Sequence, residues 1–234
     1  MSLKSQSSNR QRTLIVVAAP RECRSVLDGL GAHDLPLPSA WAPVRVGRFD
    51  VVMSGVGKSN AAGASARAID PDVHSLVLSV GIAGALPGSD LELCDVVVAD
   101  RSVFADEGIG ADSGFIPMSE AGFGAFPDGS MHATHDPTQL GLSDATIGPI
   151  ATVSWCSGND ACARGVIDRT GALCEAMEGA SVALVAKRVD PSIRTGEIRV
   201  ISNTTGDRAN QRWALDESLD RLREVLGRVA SMRG

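Results

Sequence analysis

Apolar positions come in two rhythms along this chain. Leu14-Ile-Val-Val-Ala-Ala19 is an unbroken apolar run, as are Ser75–Val80, Cys94-Asp-Val-Val-Val-Ala99 and Ile147–Ser154 once their polar ends are set aside. Short β-branched runs without polar alternation predict strands buried on both faces, the habit of a parallel sheet. Between them lie segments with helical spacing. Pro20 opens a helix with Glu22 in its first turn, a position proline favours, and the helix ends near Gly29–Gly31. An Ala-rich helix runs from about Ser59 to Ile69, another follows Asn159 to about Asp168, and a third spans about Met177 to Arg188. A last helix, from about Asn210 to Met232, lines up Trp213, Leu215, Leu219, Leu222, Leu226 and Val229 on one apolar face. Val44–Val46 and Val51–Ser54 predict a hairpin, and Arg194–Ser202 alternates as a strand. Strands alternating with helices give an α/β fold built on a parallel sheet.

The stretches between elements carry the candidate chemistry. Gly55-Val-Gly-Lys58 joins a strand to a helix N-terminus, a place for an anion or a polar ligand edge, although the full phosphate-loop spacing is absent. Gly81-Ile-Ala-Gly-Ala85 reads as a glycine-rich turn at a strand's carboxyl end, where open α/β sheets bind ligands. Phe104 to Gly129 shows no regular periodicity, so it reads as a lid or a partner contact. In Glu175-Ala-Met-Glu-Gly-Ala-Ser-Val-Ala183, small residues follow Glu178 and let another backbone approach it. A carboxylate held there accepts hydrogen bonds from two adjacent hydroxyls, as on a ribose; the alternative is a salt-bridged acid on an ordinary helix. His132 and His135 are spaced to meet, but no third ligand lies nearby, so no metal is expected.

Composition narrows the function classes. The formal charge of −6 and the absence of tyrosine disfavour nucleic-acid binding by a basic patch or by base stacking. Five cysteines without a C-x-x-C pair point to reduced thiols in the cytoplasm, without disulfides or zinc. No apolar run reaches membrane-spanning length. Residues 1–12 read as a disordered lead-in without an apolar signal core, and residues 13–234 as one domain.

Taken in order, several motifs resemble the purine nucleoside phosphorylase/nucleosidase superfamily in its hydrolase branch, and there most closely the futalosine hydrolases of the menaquinone pathway. They are Ala18-Ala-Pro-Arg-Glu22, Ser54-Gly-Val-Gly-Lys58, Val80-Gly-Ile-Ala-Gly84, the Asp-Val-Val-Val-Ala run behind Cys94 (where glycine is usual), and Ala105-Asp-Glu-Gly108. Glu175-Ala-Met-Glu-Gly179 and Ile201-Ser-Asn203, with Arg208 and Trp213, complete the set. The resemblance covers about Leu14 to Leu219. It implies a three-layer α/β/α sandwich on a twisted, mixed, mostly parallel sheet, a homo-oligomer, no cofactor, and N-glycosidic cleavage of a purine nucleoside.

By the same resemblance, Glu22 matches the acid that positions and deprotonates the attacking water. Met177 and Glu178 match the ribose contacts, and Gly81, Ala83 and Gly84 line the floor. Trp155 stands where related nucleosidases stack an aromatic on the base, and Cys156 offers its backbone to the purine edge. Adenine-specific members place an aspartic acid where this chain has Asn203. An amide donates to N7 or O6 but supplies no proton, which suits a 6-oxopurine such as the hypoxanthine of futalosine; the other reading is a turn cap. Asp207 is a second candidate acid. Related hydrolases often have proline before this loop's arginine and aspartate after it, where this chain has Asp207 and Ala209. Arg208 faces either a substrate carboxylate or local partners. Phosphorylases carry Gly-Asp-Pro-x-Arg after the first strand; Ala-Ala-Pro-Arg-Glu22 places a carboxylate that repels phosphate, so the chain reads as a hydrolase. Two other functions fit these motifs: a methylthioadenosine/S-adenosylhomocysteine nucleosidase, and a nucleoside-binding protein without catalysis.

Overall fold

The computed structural model describes residues 11–112, 114–123, 130–134 and 137–232. Most of the expected lead-in, His135 and part of the stretch before Gly129 therefore lie outside the described residues. Eight strands follow one another across the sheet. Their spans are β1 (Arg12–Val17), β2 (Val44–Val46), β3 (Phe49–Met53), β4 (His74–Ala85) and β5 (Val96–Phe104), then β9 (Thr146–Thr152), β10 (Cys174–Ala176) and β11 (Arg194–Thr204). Their order is β10-β9-β5-β11-β4-β1-β3-β2, and β8 (Ser130–His132) pairs with β5. β6 (Gly108–Ala111) and β7 (Gly114–Pro117) form a separate hairpin.

The pairings β1–β3, β1–β4, β4–β11, β5–β9 and β9–β10 are parallel. β11–β5, β2–β3, β5–β8 and β10–β4 are antiparallel. The short strand β10 bonds β9 on one side and β4 on the other, so this half of the sheet closes on itself.

The non-alternating runs explain the layers. In β1, Ile15 and Val17 pack with Val26 and Leu27 of α1 (Pro20–Gly29) and with Leu222, Val225, Leu226 and Val229 of α5 (Leu215–Ser231). Leu14 and Val16, on the opposite face, pack with Ala61 and Ala64 of α2 (Lys58–Ala68) and with Val182 and Ala186 of α4 (Gly179–Val189). The result is α1/α5, sheet, α2/α4, with α3 (Asp160–Thr170) behind β9. Each fully buried Leu, Ile or Val contributes about 1.5–3 kcal/mol, so filling both faces anchors β1 between the two helical layers.

Four local expectations are corrected. β4 continues through Gly81–Ala85 instead of turning, because β11 pairs with it up to Thr204. α5 begins at Leu215, five residues later than expected. Trp213 is off its apolar face, exposed, and bridged to Asn203 through the backbone. Met177 and Glu178 precede α4 rather than lying in it. The aperiodic stretch after Phe104 contains the β6–β7 hairpin, with Ile109 opposite Ile116.

Candidate active site

Three acids and one arginine meet beside β4, β10 and β11. Glu22, in the first turn of α1, is buried, and both its oxygens are held by backbone amides. Oε2 accepts from Ala19 N at 2.9 Å and Oε1 from Ile82 N at 2.9 Å. Burial raises its pKa above the ordinary carboxylate value; the nearby Arg199 pulls it back and Glu178 pushes it further up. A Cβ at Gly81 would lie 2.5 Å from Glu22 Oε1 and 2.6 Å from Arg199 Nη1, so this floor position has no room for a side chain.

Glu178 sits at the N-terminal end of α4. Its Oε1 accepts from Gly57 N at 3.0 Å, and its Oε2 lies 3.3 Å from both Met177 N and Arg199 Nη1. The glycine turn before α2 thus does hold an anion, and that anion is the chain's own Glu178. Gly57 has φ 96°, a conformation glycine enters at little cost. Lys58 next to it pairs with Asp106, which also accepts from Ser154 N at 2.5 Å.

Arg199 is wholly buried. Its Nε donates to Glu197 at 2.8 Å and its Nη2 to Ser79 Oγ at 2.8 Å. Glu197 also accepts from the Ser102 hydroxyl. Burial pushes the Glu197 carboxyl up and Arg199 draws it down.

On the other side of Met177 is the loop after β9. Glu175 anchors it with both oxygens, Oε1 accepting from Ser157 N at 2.6 Å and Oε2 from Ser157 Oγ at 2.7 Å. Trp155 and Cys156 are therefore carried beside Met177, whose Sδ is 3.8 Å from Cys156 Sγ. Trp155 is 67% exposed, an open aromatic face. Burial, then Glu175 and Glu178, raises the Cys156 thiol, so it is a poor nucleophile at neutral pH.

Asn203 lies opposite Gly84 in the β4–β11 register. Its Oδ1 accepts from Ser202 Oγ at 2.9 Å and its Nδ2 donates to Thr204 O at 2.9 Å. An amide nitrogen carries two hydrogens, so one remains beyond that bond. Asp207 is turned to its own loop, accepting from Ala209 N at 3.1 Å and Asn210 Nδ2 at 2.7 Å. Arg208 is exposed, and its amide donates to Gly158 O at 3.2 Å. Ala83 is buried in β4.

Glu22, Gly81, Glu178 and Arg199 thus form one cluster. Met177 links it to Trp155 and Cys156, while Asp207 and Arg208 occupy a neighbouring loop. Among the described residues no cluster of three or more His, Cys, Asp and Glu has a metal-binding arrangement; His132 is on β8.

A family model described as the phosphorylase superfamily matches residues 46–232. The chain belongs to the phosphorylase superfamily. Within that superfamily it is 34% identical to the futalosine hydrolase of Acidothermus cellulolyticus over 226 residues, covering 94% of this chain and 91% of the relative. It is 32% identical to the futalosine hydrolase of Streptomyces coelicolor, covering 83% and 80%. Among solved structures, futalosine hydrolase of Helicobacter pylori superposes with a TM-score of 0.69 at 21% identity, covering 94% of this chain and 95% of that one. A superfamily neighbour, the 5′-methylthioadenosine/S-adenosylhomocysteine nucleosidase of the same organism, gives 0.70 at 21%, covering 94% and 96%. The fold is that of these proteins.

Arg199, Glu197, Ser102 and Glu175 are site residues that the motif reading did not single out. Arg199 and Glu197 leave one signal in the sequence, two opposite charges two residues apart that alternate with the apolar Ile198 and Val200.

Proposed function

We propose that this chain hydrolyses the N-glycosidic bond of futalosine, releasing hypoxanthine and dehypoxanthine futalosine. The observation that carries hydrolysis is Glu22: a buried carboxylate pinned by two backbone amides where a phosphate-using enzyme needs cationic or neutral donors. The substrate follows from the curated relatives, similar over nearly the whole chain.

In this reading a water held by Glu22 attacks C1′ of the ribosyl group. The C1′–O bond forms as C1′–N9 breaks, Glu22 takes the proton from water, and the bonding electrons leave with the purine, which takes up a proton from solvent to depart as hypoxanthine. Glu178 accepts from the ribose hydroxyls, its own position fixed by Gly57 and Arg199. Trp155 stacks on the base, Cys156 offers backbone to its edge, and Met177 packs on the ribose. Gly81, Ala83 and Gly84 form the floor. The remaining Asn203 hydrogen goes to N7 or O6, where negative charge develops. Asp207 shapes the Asn203 loop, and Arg208, exposed beside it, receives the carboxylate of the 5′ substituent. Residues 13–234 act as one domain, in a cytoplasmic homo-oligomer.

The test is hypoxanthine release from futalosine by purified protein in phosphate-free buffer. Release independent of phosphate is expected. A folded protein that releases none would overturn the reading, and preferential release of adenine from methylthioadenosine would favour the nucleosidase alternative.

A further inference from the structure

We propose that Glu197 is a positioning residue for this reaction: it grips Arg199 by its Nε edge and shares the guanidinium charge, leaving Glu22 basic enough to take a proton from water. Glu197 and Arg199 are two positions apart on β11, so their side chains project from the same face. Both are wholly buried. The shortest carboxylate contact of the guanidinium is with Glu197, at 2.8 Å, whereas the proposed ribose clamp Glu178 is 3.3 Å away. The cation's nearest partner is therefore an acid that also accepts from Ser102, outside the proposed substrate contacts.

The place for Glu197 is built. A Cβ at Gly179 would lie 1.8 Å from Glu197 Oε2, so the start of α4 is hollowed to admit the carboxylate. Ser102, reaching in from β5, supplies a hydroxyl donor. The groups around Glu197 are Arg199, Ser102, Glu178, the Cys174 thiol and the Gly179 backbone. Glu22 faces Arg199, Glu178 and the amides of Ala19 and Ile82. Three buried acids thus share one cation. Were Arg199 balanced only by Glu22 and Glu178, its full charge would hold both strongly ionised, and a carboxylate so stabilised is a weak base. By neutralising part of that charge, Glu197 raises the basicity of Glu22.

This inference rests on the reading of Glu22 as the base, and one experiment separates the two: the pH dependence of kcat/KM for futalosine in wild type, E22Q, E197Q and S102A. Glutamine at 197 still accepts from Arg199 Nε but carries no charge. E197Q is expected to move the acid limb to lower pH by about one unit, with a fall of several-fold in the plateau. S102A weakens the ionised form of Glu197 and moves the limb the same way by less; it provides the readout if E197Q does not fold. E22Q is expected to lose activity. A limb that stays in place in folded variants, with E22Q inactive, overturns the role of Glu197 alone. An E22Q enzyme as active as wild type overturns the reading of Glu22 itself.

Discussion

Glu22 is held so that its two oxygens each keep a lone pair free after accepting one backbone hydrogen. Replacing it with glutamine preserves the shape and removes the proposed base. Kinetics of Glu22→Gln are expected to show kcat lower by roughly 10²–10⁴-fold with KM nearly unchanged, measured by hypoxanthine release. Because burial raises the pKa of Glu22, the acid limb of the wild-type profile should lie above the ordinary glutamate range of about 4.3. In the proposed reading Asn203 serves the other end of the broken bond. Asn203→Asp exchanges an amide donor for a group that can carry a proton, and is expected to raise adenine release from methylthioadenosine relative to hypoxanthine release from futalosine. Comparing the two kcat/KM values checks this. In that reading, substrate discrimination at this scale rests on the hydrogen bond made by position 203.

Elements place these residues through close approaches that a side chain would block. Gly179→Ala puts a methyl into the Glu197 carboxylate, and relief requires moving α4 or Arg199. A loss on the order of 1–3 kcal/mol in urea unfolding and a larger loss of kcat are expected together. Gly81→Ala pushes against Glu22 and Arg199 instead, so its loss should fall mainly on activity. Much of this arrangement was legible in the chain. The unbroken apolar runs gave the buried strands, and the small residues after Glu178 pointed to a buried acid closely approached by another backbone, which the Gly57 amide provides. Gly81–Ala85 was misread as a turn because glycine usually marks one; it lies in a strand where Glu22 of α1 and the cross-strand Arg199 fill the space beside Gly81. Trp213 was misread because its spacing continues the helical stripe of α5, but the preceding 3-10 turn at Arg208–Asn210 and the bridge to Asn203 hold it in extended backbone. Arg199 and Glu197 were passed over because, beyond their own pairing on β11, what makes them part of the site is their surroundings on β4, β5 and α4, which no local pattern displays.

For the whole molecule, the buried acids impose a cost on stability. Glu22, Glu175 and Glu197 all have pKa values raised chiefly by burial. Between the unfolded value of about 4.3 and each folded value, the folded chain binds more protons than the unfolded one. Stability from these groups is therefore complete below the unfolded value and is lost as pH rises through the folded values. Urea midpoints of wild type should fall relative to those of Glu197→Gln as pH increases across that window. The sheet order has a different consequence, for synthesis. β11, the last strand in the sequence, is inserted between β4 and β5, at the middle of the sheet. Until residue 204 has left the ribosome, both neighbours keep open hydrogen-bonding edges flanked by apolar surface, and Arg199 is absent from Glu22 and Glu178. The nascent chain thus lacks its complete acid–arginine cluster and stays exposed to edge-to-edge aggregation until late in its translation, and it gains its central strand and its only buried arginine, among the described residues, in one late step.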